Sequence, residues 1–335
     1  MNRRDFLNRG ICSALALPVV TTAFASPAII PGRKDLIFSA PARPQHDAFG
    51  RMEYVFRHTY EKLTNAHTQL HIAEPMADTY TDVVDGCCDV AIGFMHAAVT
   101  QHPAFGYFAG LPCSMGLPSA RQTAWINSGD GQEIWDQLGF ELGIKPLFAG
   151  NVATHAVALH SRRMICGATH FQNMRVQANG LVRDVVAGLG ATPVINETED
   201  EIDAVQSGTS ASRPAVDGGK SQAHVISGGF LPHGSTLAVS VHRKTWDRLS
   251  RFEQQAMHMA ARVAAASFTN FANSKDRAVV TALGVRTPSA PKMPLDVMVA
   301  ANRIAEAVVA DIASTDQISA RINSSYLAAR SRQQI

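Results

Sequence analysis

Short apolar segments alternate with amphipathic segments along most of this chain, and that alternation restricts the fold more than any other feature. Apolar residues at 35–40, 69–73 and 89–93 predict strands. The apolar period of about 3.6 residues at 49–64 predicts a helix between the first two strands, and residues 80–84 predict a shorter helix before the third. Strands that alternate with helices predict a parallel sheet joined by right-handed crossovers.

A second α/β set follows the first along the chain. Residues 119–142 predict mostly helix, and 145–150 predict the strand that leaves the first set. The second set is predicted to contain strands at 154–159, 174–177 and 193–195 and helices at 181–189 and 199–207.

The C-terminal third is predicted to be mainly helical after a strand at 237–241. Ser250 and Glu253 have the spacing of a capping box, which predicts the start of a helix that continues to about residue 283. At 1.5 Å per residue this helix is about 50 Å long, which is enough to run along two lobes. A last helix is predicted at 295–313.

The N-terminus has the features of a secretory signal. Arg3 and Arg4 precede a short apolar run at 11–24, which ends in the small-x-small residues 23–25. The paired arginines match the twin-arginine type of signal, which a receptor reads as an address. We therefore expect residues 1–25 to be a cleaved twin-arginine signal peptide; a buried N-terminal helix is the alternative.

Composition excludes several classes of protein. Hydrophobic residues make up 46% of the chain and charged residues 17%, as in a globular protein with a large core. The formal net charge of +2 gives no footprint for nucleic acid, so none is predicted as a partner.

Enzyme signatures are missing from the sequence. It contains no HExxH, no G-x-S-x-G and no G-x-G-x-x-G after a strand. Gly219, Lys220 and Ser221 resemble the end of a phosphate-binding loop, but Pro214 stands where that loop requires glycine. We therefore predict that the chain is not an enzyme and has no cofactor.

Histidines and cysteines do not form a recognisable metal motif. His67 and His71 fall on or beside a strand, and His155 and His160 face opposite sides of an extended segment. Four cysteines remain after the signal and show no disulfide framework, so we expect buried small hydrophobic residues and leave their disulfide status open: Cys87, Cys88, Cys113 and Cys166.

Several segments, taken in order, resemble the substrate-binding subunits of tripartite ATP-independent periplasmic (TRAP) transporters, the DctP-type family. Residues 105–115, FGYFAGLPCSM, resemble the family's "F…F…PFGM" segment. Residues 173–176, NMRV, are similar to its "GLKMR" strand, and 189–194, LGATPV, to its "LGATPV". Each match alone is weak, but further matches follow in the same order: 123–126, 131–136, 143–147, 149–151, 234–237, 246–247 and 324–326.

The resemblance implies that Arg175 clamps the carboxylate of a small organic acid. A guanidinium offers two parallel N–H donors that match a carboxylate in charge and geometry. The alternative is a structural salt bridge from Arg175 to Asp200 or Glu201.

Five further residues are predicted ligand contacts on the same resemblance. His155 occupies the place of a ligand-binding glutamine, and Phe230 that of a tryptophan that walls the pocket. Met95 and His96 follow the third strand of the first lobe. Asn179 stands at the opening of a helix, where N–H groups face an anion readily.

The sequence also departs from the family pattern. Relatives have "G-x-I-D-A-x-E-W" after the predicted helix at 199–207, and some hold a metal through its glutamate, whereas here Gly208 leads into 209–215, TSASRPA. We therefore predict an altered pocket that holds no metal, because the family pattern is replaced at Ala211, Pro214 and Ala215.

The resemblance implies an α/β periplasmic binding protein fold of two lobes, braced by the long helix. Lobe I is predicted to comprise 34–150 and 236–275, and lobe II 151–235 and 276–335. The expected function is capture of a carboxylate in the periplasm and delivery to the membrane permease of a TRAP transporter. The alternatives are a ligand sensor that presents its closed form to a receptor, and a metal-dependent hydrolase that uses His155 or His160.

Overall fold

In the residues that the computed structural model describes, ten strands form two five-stranded sheets. Those residues are 33–41, 48–73, 79–152, 157–194, 202–206, 224–228, 235–282 and 291–331. The strands are β1 Lys34–Ser39, β2 Thr68–Ile72, β3 Val90–Phe94, β4 Ile144–Val152, β5 Val157–Ser161, β6 Arg175–Gln177, β7 Thr192–Val194, β8 Ala204–Gln206, β9 His224–Ser227 and β10 Ser235–His242. The predicted signal at 1–25 lies outside the described residues.

Ten α-helices accompany the two sheets within the described residues. They are α1 Ala48–Leu63, α2 Thr79–Val84, α3 Phe105–Ala109, α4 Ser119–Ser128, α5 Gly131–Glu141, α6 Val182–Gly188, α7 Arg243–Arg248, α8 Arg251–Ala282, α9 Leu295–Thr315 and α10 Gln317–Ser331. Short 3-10 helices include Met95–Thr100, which directly follows β3. No described helix combines the length and the apolar character that crossing a bilayer requires.

The first sheet has the order β2-β1-β3-β10-β4. β1 pairs in parallel with β2 and β3, as predicted, but β10 returns from the second sheet and runs antiparallel to β3 and β4. The sheet is therefore mixed and not wholly parallel. Apolar residues of this sheet are buried on both of its faces, and α1 and α8 pack on one face.

The long helix α8 starts at the predicted capping box. The Glu253 backbone N–H donates to Ser250 Oγ at 3.3 Å, and the Ser250 N–H donates to Glu253 Oε2 at 2.7 Å. α8 has 32 residues and packs on α1 and β4. Its length matches the prediction; that it also runs along the second sheet stays a prediction.

The second sheet has the order β7-β6-β8-β5-β9. β6 pairs in parallel with β7 and β8, while β5 is antiparallel to β8 and β9. One face packs on α6 and α9 through an apolar core that includes Val176, Val186 and Ala301. Because Val176 of β6 points into this core, its neighbours on the strand point to the opposite face of the sheet.

The helix predicted at 199–207 is wrong for its described part. Ala204–Gln206 is a strand, β8, placed between β5 and β6. All three of its residues are buried, so pairing on both edges and burial on both faces outweigh the local helical propensity of the segment.

The last two described helices, α9 and α10, pack on different sheets. α9 packs against α6 on the second sheet, and α10 packs against α5 on the first. The predicted assignment of 276–335 to lobe II, like the other lobe boundaries, stays a prediction.

The described cysteines are all free thiols. Cys88 and Cys113 are buried, as expected of small hydrophobic residues, but the prediction is wrong for Cys87 and Cys166, which are exposed. Burial raises the pKa of the Cys113 thiol to about 12, so this group stays protonated and apolar in character.

Candidate functional site

Arg175 begins β6, and its backbone is fixed by Asp203. The Arg175 N–H donates to Asp203 Oδ2 at 2.8 Å, and the Asp203 N–H donates to the Arg175 carbonyl oxygen at 2.9 Å. Arg163 approaches the other carboxylate oxygen of Asp203 at 3.6 Å. Asp203 therefore holds the entry to β6 in place.

Successive side chains of β6 point to opposite faces of the second sheet. Val176 is fully buried in the core under α6 and α9, whereas Arg175 and Gln177 are half-buried. Because successive residues of a strand face opposite sides, Arg175 and Gln177 project from the face opposite that core. Arg175 is therefore on the side of the sheet away from the α6–α9 core.

The carboxyl end of β6 leads into a loop bound by Gln206. The Asn179 backbone N–H donates to Gln206 Oε1 at 2.9 Å. Gln206 is the last residue of β8 and only 6% of its surface is exposed. The N–H of Asn179 thus has a partner three residues before α6 begins, so it is not part of that helix's N-terminus. A ligand role for the Asn179 side chain stays a prediction.

Met95 and His96 lie in the 3-10 helix after β3. Met95 is 1% exposed and packs in the core with Ala91 and Ala98. His96 is half-buried, and its ring stacks on that of Phe94 with centroids 5.4 Å apart. Of the two, His96 has the more accessible side chain.

The loop after β6 meets the segment after β3. A Cβ on Gly180 would lie 3.2 Å from His96 Cβ and 4.0 Å from Val99 Cγ2, and the φ of Gly180 is +55°. The next residue, Leu181, belongs to the same apolar cluster as Met95. Carboxyl ends of strands from both sheets therefore face each other here, which is where α/β sheets bind ligands.

The structure thus brings Met95, His96 and Asn179 to one region and places Arg175 on the strand that leads to it. His155 and Phe230 fall outside the described residues. Within the described part of the chain, no three His, Cys, Asp or Glu side chains are grouped so as to hold a metal ion.

Two open depressions lie elsewhere, on the helices of the first sheet. One, of about 680 Å³, is lined by α4 and α10 residues that include Arg121, Trp125 and Ser325. The other, of about 640 Å³, lies between α5, α7 and α10. Neither touches β6 or the segment after β3, so neither is the candidate site.

No protein-family model matches the sequence, and no curated protein matches it. Solved structures do match. A TRAP transporter solute-binding protein from Bordetella bronchiseptica with copurified calcium and picolinate has a TM-score of 0.77 and 16% identity, over 90% of this chain and 93% of that chain. A TRAP periplasmic solute-binding protein from Colwellia psychrerythraea with bound calcium and pyruvate has a TM-score of 0.77 and 17% identity, over 90% and 95%.

A third match is a TRAP periplasmic solute-binding protein from Haemophilus influenzae with bound L-gulonate. Its TM-score is 0.69 and its identity 14%, over 89% of this chain and 100% of that chain. The chain has the fold of the TRAP solute-binding proteins. The two-lobed α/β architecture implied by the sequence resemblance is therefore confirmed.

The strand β8 changes the position of one sequence motif. With a helix predicted at 199–207, the family pattern I-D-A-x-E is expected after residue 208. β8 and the two residues before it read Ile202-Asp203-Ala204-Val205-Gln206, which matches that pattern except for its last residue. The aspartate is therefore present as Asp203, and the glutamate is replaced by Gln206.

Gln206 does not fit a metal ligand as well as a glutamate would. Its amide is neutral, and its Oε1 accepts a hydrogen bond from the backbone of Asn179. Hard divalent cations such as calcium prefer sites with several carboxylate oxygens. Asp203 is also engaged, with the backbone of Arg175 and with Arg163.

Proposed function

We propose that this chain is an exported solute-binding protein that captures a small carboxylate between its two lobes and delivers it to a TRAP-type membrane permease. The observation that carries the proposal is the fold, shared over about 90% of the chain with proteins whose structures hold picolinate, pyruvate or L-gulonate. Each of these ligands is a small carboxylate. The signal predicted at 1–25 accounts for export, by the twin-arginine route.

Arg175 is the proposed carboxylate clamp. Its strand is fixed on both edges by β7 and β8, and its backbone N–H is fixed by Asp203. Arg175 is half-buried as a residue, and its side chain projects from the face opposite the α6–α9 core. Two parallel N–H donors on a rigid strand set both the position and the orientation of a bound carboxylate.

Closure of the two lobes then shields the ion pair. The apposed segments, Met95–Thr100 on the first sheet and the loop at Gly180 on the second, are the elements that come together around the ligand. Removal of water lowers the effective dielectric constant and strengthens the attraction between Arg175 and the carboxylate. Closure of this kind is the usual response of two-lobed binding proteins.

The experiment is a thermal-shift screen of small carboxylates with matched arginine variants. Ligand at one hundred times its dissociation constant stabilises the folded state by about 2.7 kcal/mol, so a binding acid raises the unfolding temperature measurably. We expect Arg175→Ala to abolish that rise while its ligand-free unfolding temperature stays close to that of the wild type.

Arg163→Ala is the matched control, because Arg163 follows β5 and its guanidinium lies 3.6 Å from the Asp203 carboxylate that also binds the Arg175 backbone N–H. We expect this variant to keep the ligand-induced rise. An unchanged rise in Arg175→Ala would place the clamp elsewhere, and no response of the wild type to any acid would overturn the proposed function.

A further inference from the structure

A β-bulge interrupts the pairing of β4 with β10. Phe148 lies opposite Ala238 and Gly150 lies opposite Leu237, so Ala149 is the extra residue on β4. Gly150 has a φ of +137°, which residues with a side chain rarely adopt. The bulge reverses the side of the sheet that Asn151 faces.

The shift places Asn151 directly beside Thr236. Leu237 faces the core under α1 and α8, so its neighbour Thr236 faces the other side of the sheet. Asn151 pairs with Thr236 across the two strands and therefore projects from the same side. Without the bulge, the amide would point toward α8.

Both side chains are buried. Asn151 is 8% exposed and Thr236 is fully buried. Among the residues that the structure describes, none pairs with Nδ2 or Oδ1 of Asn151 or with Oγ1 of Thr236. A buried polar group left in this state destabilises the fold by about 1–3 kcal/mol. Most buried polar groups in proteins are hydrogen-bonded, so three such atoms on two paired residues require a partner from outside the described residues.

The pair lies at the end of the first sheet where the chain passes toward β5 and returns from β9. Its side of the sheet is the one that carries Ala238, in the same apolar cluster as Met95 and Leu181. That cluster joins the segment after β3 to the loop after β6. Leu237 pairs with Phe94 of β3, so Thr236 lies beside Met95 at the start of the segment after β3. Asn151 and Thr236 therefore belong to the region in which the proposed ligand is held.

We infer that Asn151 and Thr236 form a subsite for an uncharged polar group of the ligand, specifically a hydroxyl, so that the ligand is a hydroxy acid. The inference rests on the proposed function. A carboxylate only accepts hydrogen bonds and would leave Asn151 Oδ1 unsatisfied, and an ammonium group only donates. A hydroxyl both donates and accepts, which matches the amide and the threonine hydroxyl together.

The test compares matched acids that differ by one hydroxyl, such as lactate with propionate and gluconate with hexanoate. Titration calorimetry of the wild type is expected to show at least about tenfold tighter binding of one hydroxy acid over its deoxy partner, since one neutral hydrogen bond with buried partners is worth that much. Thr236→Val and Asn151→Leu keep the side-chain volume and are expected to reduce the preference to near unity. Ser240→Ala, buried four residues further along β10 on the same side, is expected to leave it unchanged.

A second readout needs no ligand. Asn151→Leu removes two unpaired buried atoms, so the unfolding temperature of the ligand-free protein is expected to rise. A fall would mean that the amide is satisfied within the protein, which overturns the subsite. If acids bind the wild type but the matched pairs bind equally, the subsite fails and the proposed function stands; if no acid binds, both fail.

Discussion

The side chain of Leu181 fills the position that a Cβ atom on Gly106 would occupy. A Cβ on Gly106 would lie 2.3 Å from Leu181 Cδ1 and 2.8 Å from its Cγ, and both residues are buried. Gly106 lies in α3 on the first sheet, and Leu181 immediately precedes α6 on the second. The absence of a side chain at one position thus lets the two halves of the molecule pack closely.

We predict that Gly106→Ala destabilises the folded state by about 1–3 kcal/mol, the usual effect of an added methyl group in a filled core. Urea denaturation measures the change. Leu181→Ala should also destabilise, by loss of buried apolar area, but the double variant should lose less than the sum of the two, because the smaller side chain frees the space. Additive losses would show that the two residues do not compete for it.

Glu253 joins the start of α8 to the first sheet. Its carboxylate accepts hydrogen bonds from Lys34 Nζ at 2.7 Å, from Thr68 Oγ1 at 2.8 Å and from the Ser250 N–H and hydroxyl, each at 2.7 Å. Burial by itself would raise the pKa of Glu253, but the hydrogen bonds from Lys34, Ser250 and Thr68 lower it from 4.5 to about 2.

A carboxyl group whose pKa is lower in the folded protein stabilises the fold above its unfolded pKa and stops doing so as the pH falls through its folded value. We therefore predict that the free energy of unfolding decreases between about pH 4.5 and pH 2, by on the order of 3 kcal/mol from Glu253. Urea denaturation across that range should show a smaller decrease in Glu253→Gln. The exposed Glu133, changed to Gln, is the control and should keep the wild-type slope.

Ala66 holds a backbone conformation that suits glycine. It follows α1 with a φ of +57°, and its N–H donates to the Glu61 carbonyl oxygen at 2.8 Å in a left-handed cap. A residue with a side chain in this backbone conformation destabilises the folded state by about 1–2 kcal/mol. Glycine removes that strain but also raises the entropy of the unfolded chain, so the net gain in stability is smaller. We predict that Ala66→Gly stabilises the protein by about 0.5–1 kcal/mol in urea denaturation.

The same substitution in a helix interior should have the opposite sign. Ala266 is exposed within α8, where glycine is less favourable than alanine by about 1 kcal/mol. Ala266→Gly is therefore the control for Ala66→Gly. Equal destabilisation by both would indicate that Ala66 carries no backbone strain.

Local patterns predicted most strands and helices because each has a clear apolar period or cap. The helix α8 is an example, since Ser250 and Glu253 alone mark its start. β8 could not be predicted in this way. Its neighbours 199–203 are rich in acidic residues typical of helices, and only pairing with β5 and β6 makes Ala204–Gln206 a strand.

The site was predicted less completely than the fold. The role of Arg175 stays a prediction, made because the segment around it resembles a family strand. Asp203, which binds the Arg175 backbone, was missed along with β8. Gly180 and the residues of the proposed subsite, Asn151 and Thr236, gave no local signal, because only contacts between residues far apart in the chain bring them to this region. The consecutive residues Ile202, Asp203 and Ala204 match the I-D-A of the family pattern, and this match could have located the pattern from the sequence.

Gln206 leads to a prediction about metal dependence. Its neutral amide stands where the family pattern has a glutamate, and its Oε1 is already bound by the Asn179 N–H at 2.9 Å. A site without that carboxylate has less charge with which to attract calcium. We predict that carboxylates bind the wild type with the same dissociation constant in a chelating buffer and in excess calcium, as measured by titration calorimetry.

Gln206→Glu provides the matched comparison. A carboxylate at this position, in a residue only 6% exposed, is expected to lower the unfolding temperature because its charge is buried. Calcium should restore part of that loss in Gln206→Glu and have no effect on the wild type, since only the variant offers the charge to bind it. Loss of carboxylate binding by the wild type in the chelating buffer would contradict the prediction and show that other side chains hold a cation beside Arg175.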